Sequence, residues 1–357
     1  MKKNISDYNL IELESILKEY GEKPFRAKQI FSFVSAGSSI SDITVIPKEL
    51  RERLKEDFFD STLTIIKTLT SKDGTIKFLF LLNDGNVIEG VLMKYKYGNT
   101  LCVSTQVGCR MHCAFCASTI NGLVRNMSAG EILSEVIAVN KYLGGGLSDK
   151  RQITNVVLMG SGEPLDNYDN VVKFIRLLSE KDGLNVSPRN VSLSTSGLCK
   201  EMYKLAEEKL PVNLTVSLHN PFDSERKKIM PVANKYSVSE IIKACDNYFE
   251  KTGRRYIFEY VLIKDKTATK ECADELIRLL KGKPCHVNLI RLNEVKENNL
   301  SGISDKDAYR FLGLLEKGGL SATLRRKIGE DIDGACGQLR RRYIMETEEK
   351  RREENES

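Results

Sequence analysis

Tryptophan is absent from the 357-residue chain, and there are only three histidines. A nucleobase stacked on this protein would therefore have to meet Phe, Tyr, His or Arg. No run of about 18 uncharged apolar residues occurs, which excludes a membrane-spanning helix of ordinary length. The N-terminus, Met-Lys-Lys-Asn-Ile-Ser-Asp-Tyr, lacks the apolar core of a secretory signal, so the expected compartment is the cytoplasm. No low-complexity segment interrupts the pattern, and neither sign of charge dominates. Fifty-five basic against 49 acidic residues leave +6, a balance compatible with an RNA partner but not one that requires it.

What the chain does have is cysteine. Nine of them, an odd number and clustered, fit metal or redox chemistry in a reducing compartment better than a disulfide framework. With 41% hydrophobic residues the chain can bury a substantial core. Its length allows two or three domains, or one large α/β unit with an appendage.

Residues 1–60 read as helical. Ile11, Leu13, Ile16 and Leu17 recur at helical spacing and stop at Gly21, Pro24 opens a second segment with Phe25, Ile30, Phe31 and Phe33, and Pro47 opens a third. Basic residues such as Arg26, Lys28, Arg51, Arg53 and Lys55 decorate these helices, as either a solvated face or an RNA-contacting one. From 61 to 98 the period changes to that of strands, with Asp73-Gly74 and Asn83-Asp84-Gly85 as hairpin turns. Glu89 interrupts one of these apolar strands, and the ordinary expectation is an exposed face. Beyond residue 99 short strands alternate with helices, two of which open on the capping boxes Ser128-x-x-Glu131 and Ser237-x-x-Glu240. Six or seven such repeats predict an α/β fold with a parallel sheet, and the count, short of eight, predicts a partial (β/α)6 barrel over 99–339. The tail, 340–357, carries six basic residues and six glutamates and reads as a solvated, frayed helix without assigned function.

Three cysteines, Cys109, Cys113 and Cys116, lie within eight residues as C-x3-C-x2-C, with Cys102 seven residues upstream. Three thiolates can converge on one metal centre but cannot close a tetrahedral site. A [4Fe–4S] cluster held by three protein ligands keeps one iron open to a small molecule. In parallel βα folds ligands collect at the C-terminal ends of the strands, and the strand ends here carry suitable groups. Gly160-Ser-Gly-Glu163 offers close backbone approach and a carboxylate, and Ser192 to Gly197 offers hydroxyls. Ser217-Leu218-His219 follows; alone, His219 would be an ordinary structural histidine, but its place at a strand end moves it towards the site. Asn293 is the candidate amide after the sixth strand. Cys199, Cys245, Cys272 and Cys285 sit among apolar neighbours and read as core. Cys336 differs, lying in a polar loop between Ala335 and Gly337 and downstream of Arg325, Arg326 and Lys327, which favour a thiolate. Cys102 and Cys336 are thus two thiols outside the cluster, a pair that would permit covalent catalysis resolved through a disulfide.

The cysteine run, with Phe115 just before its last member, is similar to the signature of radical S-adenosylmethionine (SAM) enzymes. Over nearly its whole length the chain resembles the RlmN-type dual-specificity adenine-C2 methyltransferases of 23S ribosomal RNA and transfer RNA. The resemblance is carried by Arg26-Ala-Lys-Gln-Ile30, Ile88-Glu89, Cys102 through Cys116, Gly162-Glu-Pro, Ser194-Thr-Ser-Gly, Ser217-Leu-His, Asn288-Leu-Ile and Asp331-Ile-Asp-Gly-Ala-Cys-Gly-Gln-Leu339. It implies a [4Fe–4S] cluster on Cys109, Cys113 and Cys116, and two SAM molecules per turnover bound by Gly162, Glu163, Ser194, Ser217, Leu218, His219 and Asn293. Cys336 would be methylated by one SAM, and a radical from the other would remove hydrogen from that methyl. The carbon radical would then add to C2 of the adenine, which is not nucleophilic enough for a polar transfer. Glu89 would be the general base, and Cys102 would release the product by forming a disulfide with Cys336. A cytoplasmic monomer fed by flavodoxin or ferredoxin is implied. Ser161 stands where typical members have Met, which leaves the backbone and Glu163 intact. Two other readings stay open: C8 methylation of the same adenine by a Cfr-type relative, and a non-catalytic RNA-binding protein with zinc on the three cysteines plus His112 or Cys102.

Overall fold

The computed structural model describes residues 2–60, 63–147, 150–292, 300–332, 339, 340 and 343. The chain opens with β1 (Lys3–Asn4), α1 (Leu10–Glu19), α2 (Phe25–Ser35), α3 (Lys48–Asp57) and β2 (Phe58–Phe59), and β2 pairs in parallel with β1. Asn9 and Glu12 cap α1 reciprocally. Leu13 and Leu17, one turn apart, are buried with Ile30, Phe31, Leu50 and Leu54, whereas Ile11 is 74% exposed. The expected apolar stripe is thus narrower than the four residues predicted, because Ile11 lies two residues, over half a turn, from Leu13.

A meander follows: β3 (Thr64–Thr70), β4 (Ile76–Leu81), β5 (Val87–Tyr95) and β6 (Gly98–Cys102). A second, two-stranded antiparallel pair, β7 (Gln106–Gly108) and β8 (Leu123–Asn126), frames the cysteine run. Then come α4 (Ala129–Tyr142), β9 (Ile153–Leu158), α5 (Tyr168–Ser179), β10 (Val191–Thr195), α6 (Cys199–Glu207), β11 (Asn213–Ser217), α7 (Asp223–Ile229) and α8 (Val238–Thr252). The last elements are β12 (Tyr256–Leu262), α9 (Lys270–Leu280), β13 (Cys285–Arg291), α10 (Asp305–Lys317) and β14 (Ala322–Leu324). Both predicted capping boxes are formed, at Ser128–Glu131 and Ser237–Glu240.

Ten strands make one sheet in the order β14-β13-β12-β11-β10-β9-β6-β5-β4-β3. From β6 to β14 every pairing is parallel. Six helical crossovers therefore link seven strands, a partial (β/α)6 barrel whose edges β3 and β14 do not pair among the described residues. The meander is not a separate layer, because β5 pairs antiparallel with β6 and extends the barrel sheet. Along β10 the buried Val191 and Leu193 alternate with Ser192 and Ser194, and β13 alternates likewise. The apolar set faces the helices, and the other set lines the lumen. That choice leaves the lumen open for a ligand in place of packed side chains. Cys199, Cys245, Cys272 and Cys285 are buried, as expected of core residues. Among the described residues no helix is long and apolar enough to cross a membrane.

The helical module is keyed to the barrel at α4. Gly130 N–H donates to Asp7 Oδ1 at 2.6 Å, and a Cβ at Gly130 would stand 2.7 Å from both the Asp7 nitrogen and the Ser6 carbonyl carbon. On a free helix Gly→Ala stabilises by up to about 1 kcal/mol. Here the sign should reverse: Gly130→Ala is expected to lower stability by about 1–3 kcal/mol, read by thermal denaturation, with earlier proteolysis of the N-terminal module.

Candidate active site

The cysteine run hangs from the β7–β8 pair. Gly108 has φ +82°, and a Cβ there would overlap the Gly122 carbonyl oxygen. Only glycine allows that close neck, across which Cys109 N–H donates to Gly122 O at 2.9 Å. The tip is pinned to the barrel by Ala114 N–H donating to Ile229 O, 2.9 Å, and by Phe115 packed edge-on against the His219 ring, centroids 4.7 Å apart.

Gln106 joins this loop to the Glu163 turn. Its Oε1 accepts from Glu163 N–H at 2.8 Å, while its Nε2 donates to Asn126 Oδ1 and Asp166 Oδ2 at 2.8 and 2.9 Å. Gly162, at φ +110°, rests so close to Thr105 and Gln106 that a Cβ would lie 2.7 Å from their side chains. Behind the ends of β10 and β11 stands Arg226, which is wholly buried. It donates to Ser196 O at 2.7 Å, Leu218 O at 2.9 Å and Ser217 O at 3.1 Å.

These elements enclose a cavity of about 280 Å³, at the small end of ligand-pocket sizes. Cys109, Cys113, Cys116, Gly162, Glu163, Ser194, Ser217 and His219 all line it. Eight predicted residues from four strand ends or loops thus share one space. Leu218 does not line it; its N–H donates to Glu259 O and its carbonyl accepts from Arg226. Asn293 and Cys336 lie outside the described residues. Cys102 is buried in an adjoining apolar group with Val91 and Met93, against which Met159, a cavity residue, also packs.

Glu89 is corrected by the structure: it is not on an exposed face but 5% exposed. β5 is covered on both sides, so a residue of either parity is buried. Its carboxylate is paired with Lys77 Nζ at 3.2 Å and accepts from the backbone N–H of Arg340. It borders a small second cavity with Ala117, Ser118, Asn121 and Ser161, and Ala117 lines both cavities.

Electrostatics fit a cationic occupant. Burial, then the neighbouring Cys116, Glu163 and Asp166, push the Cys109 thiol up to about 12. Burial and the two other thiols raise Cys113 further. Thiols gathered in this way ionise only beside a positive centre such as an iron–sulfur cluster. The three thiols of this loop, all on the cavity wall, are soft sulfur donors of the kind that holds an iron–sulfur cluster. Neither proposed fourth zinc ligand lines the cavity: His112 is exposed, and Cys102 belongs to the apolar group. Glu163 is raised by burial, opposed by the N–H groups of Ser196 and Leu165 that it accepts. Ser196 stands at the cavity wall and presents its hydroxyl beside Glu163 to a polar ligand such as SAM.

Glu259 and Arg226 were missed from the sequence. Glu259 lines the cavity from β12, with Asn288 Nδ2 donating to its oxygens at 3.0 and 3.1 Å. Burial raises it, against the Arg325 charge. A glutamate within Tyr256–Leu262 was a signal of the same kind as Glu89. Arg226, inside the polar Asp223–Lys228 run, carried none.

Comparison with known proteins followed the same division of the chain. The radical SAM superfamily model matches residues 103–280, and a ribosomal RNA large subunit methyltransferase N-terminal domain model matches 3–59. The chain is 52% identical over 345 residues to a probable dual-specificity RNA methyltransferase RlmN of Clostridium perfringens (strain SM101 / Type A), covering 96% of this chain and 98% of that protein. It is 49% identical over 349 residues to the protein of the same description from Clostridium acetobutylicum, covering 97% and 99%. A crystal structure of a radical SAM methyltransferase from Sphaerobacter thermophilus superposes with TM-score 0.89 at 41% identity, covering 94% and 98%.

His219 yields a test of the site's electrostatics. It takes φ +57°, and its Nδ1 accepts from Val261 N–H at 3.1 Å, so Nε2 carries the proton. Burial and then the Arg226 charge lower it from 6.5 to about 3. Its contribution to stability is complete above pH 6.5 and is lost as pH falls towards 3. His219→Gln in cluster-free protein should therefore flatten the fall of unfolding free energy across that window, measured by urea denaturation at each pH. An unchanged slope would contradict the neutral, buried imidazole.

Proposed function

The chain belongs to the RlmN family of radical SAM RNA methyltransferases, and on that premise we propose that it methylates C2 of an adenine in the peptidyl-transferase centre of 23S ribosomal RNA and of the adenine 3′ of the anticodon in some transfer RNAs. Family membership brings a [4Fe–4S] cluster and SAM. The observation that carries the site assignment is that three cysteines of one loop share a single cavity with Gly162, Glu163, Ser194, Ser217 and His219.

In this reading Cys109, Cys113 and Cys116 hold the cluster, which supplies the electron for reductive cleavage of SAM when bound. Glu163 anchors the turn through Ser196 and Leu165 N–H and presents the backbone and its remaining acceptor capacity to the SAM ammonium. Neutral His219 donates from Nε2, and Ser194, Ser196 and Ser217 supply hydroxyls. Asn293, outside the described residues, completes the SAM set. Cys336, also outside them, takes a methyl from SAM as its sulfur attacks the methyl carbon and S-adenosylhomocysteine leaves with the electron pair of the broken carbon–sulfur bond. Glu89 accepts the proton given up by the ring carbon. Cys102 then attacks the sulfur of Cys336, forming the S–S bond as the carbon–sulfur bond to the RNA breaks.

Two contacts of the residues flanking Cys336 support this order. Ile328 packs on the Val91, Met93 and Cys102 group, and Arg340 donates its backbone N–H to Glu89. The chain thus comes back to the wall that carries both Cys102 and Glu89 on each side of the loop. We assign 1–60 as the RNA-contacting module, 61–98 as the connecting meander, 99–339 as the catalytic barrel and 340–357 as a charged tail. The enzyme acts as a cytoplasmic monomer with flavodoxin or ferredoxin as electron donor.

C8 methylation is not favoured, since the relatives named above are RlmN proteins. Mass spectrometry of ribosomal RNA from cells with and without the gene should show 2-methyladenine depending on it; 8-methyladenine would overturn the assignment. The two-thiol order has its own test. Cys102→Ala should leave protein covalently joined to RNA on a denaturing gel, and Cys336→Ala should leave no adduct. Equal behaviour of the two variants would remove the division of labour between the thiols.

A further inference from the structure

A wholly buried lysine on a barrel strand needs an explanation. Lys77 lies on β4 with 0% of its side chain exposed, and its face of the strand is otherwise Leu79 and Leu81. Taking an ammonium out of water costs several kcal/mol even after relaxation, and an ion pair in a core is commonly no more stabilising than apolar side chains of equal volume. A leucine or methionine at 77 would satisfy packing alone. The β4–β5 register sets Leu79 opposite Glu89 and Lys77 opposite Val91, so Lys77 is the diagonal neighbour of Glu89 on one face. Lys77 Nζ meets Glu89 Oε2 at 3.2 Å, and the other oxygen, Oε1, accepts the Arg340 N–H.

We infer that Lys77 is a positioning residue for Glu89, holding that carboxylate in one orientation at the rim of the small cavity beside the cluster loop. The inference rests on the reading of Glu89 as the proton acceptor. In a site this dry a carboxylate that lost its charged partner would be costly to bury and would no longer be held in one orientation. Among the described residues the other groups around it are turned to different partners or carry no charge. The Arg340 guanidinium is directed to Val87 O, at 2.6 Å from Nε. Ser104 Oγ donates to the Glu89 backbone carbonyl, not to its carboxylate. The cluster loop and the 160–163 turn present Ser118, Asn121 and Ser161, which are uncharged. The Glu135 carboxylate, on α4, is occupied by Ser104 N–H. Lys77 is thus the cation that meets the carboxylate directly among the described residues. When Glu89 gains a proton from the ring carbon, the C–H pair stays with the ring, an O–H bond forms on Glu89, and Lys77 keeps its charge.

The test uses full-length, cluster-loaded enzyme with Lys77→Met, Lys77→Arg, Glu89→Gln and the double variant Lys77→Met/Glu89→Gln. Methyl loading on Cys336 from SAM reports an intact site and does not use Glu89. Lys77→Met is expected to load methyl normally and to keep KM for a 23S-derived RNA hairpin within about twofold. Its kcat for RNA methylation should fall on the order of 10²-fold, the lower range for loss of a general base. Lys77→Arg should recover part of it. The double variant should methylate RNA no more slowly than Glu89→Gln alone, because a positioning residue acts only through the residue it positions. Unchanged kcat in Lys77→Met, or a loss in the double variant well beyond that of Glu89→Gln, overturns the inference. If Glu89→Gln itself methylates RNA, the acceptor role fails first. Should Lys77→Met not fold while the double variant does, the stranded carboxylate confirms the pairing. If both fail to fold, Lys77 serves packing and the inference is lost.

Discussion

A single buried guanidinium ties together the strand ends on which the site is built. Carbonyls at the C-terminal ends of β10 and β11 leave the sheet ladder with no strand partner, and unpaired buried carbonyls are costly. Arg226 gathers three of them, from Ser196, Ser217 and Leu218, onto one planar fork. The same residues carry, or adjoin, the groups that line the cavity. Burial lowers Arg226 to about 10, so it remains charged at neutral pH. That charge also helps hold His219 neutral. One side chain therefore sets the shape of two strand ends and adds to the burial that keeps a third group neutral.

The lumen of the barrel is a ligand site because of where the apolar residues went. In β10 and β13 one parity of side chain is apolar and packs under the helices, while the other parity carries Ser192, Ser194, His286 and Asn288. A closed eight-stranded barrel fills its interior with side chains. Here the sheet stops at seven parallel strands, and the β3–β5 meander continues it instead. The C-terminal segment is clipped to the meander's first hairpin: Gly329 N–H donates to Asp73 at 3.0 Å, and Asp331 accepts from Ser71 and from Lys72 N–H. Those contacts bring the approach to Cys336 to the side of the sheet where Cys102 and Glu89 stand. Separation in sequence is therefore no guide to separation at the site.

Legibility in the sequence followed the range of the forces involved. The cysteine spacing, the Gly-Ser-Gly-Glu turn, the capping boxes at Ser128 and Ser237 and the strand–helix alternation are local, each set by neighbours within one turn or one hairpin. All were readable. Ile11 failed because a two-residue offset on a short helix changes its face. Glu89 was visible as an anomaly inside an apolar strand, but its burial was not, since that depends on what covers the strand. Lys77, two residues from a hairpin turn, reads as an edge cation until β5 is laid beside it. Arg226 lies in a run of charged residues whose other members are exposed or half-buried, and nothing nearby marks it as buried.

By itself the sequence determined the class of chemistry: three clustered thiols that need a positive centre, glycines that admit close backbone approach, and strand ends bearing hydroxyls and an imidazole. It also determined the element order and hence a parallel α/β sheet, because hydrophobic periodicity is a local property. Only the tertiary structure decided which charged groups are dry. Glu89, Lys77, Glu259 and Arg226 acquire their partners through strand register and helix packing across tens to hundreds of residues. The cost of burying a charge depends on those partners and on no residue alone.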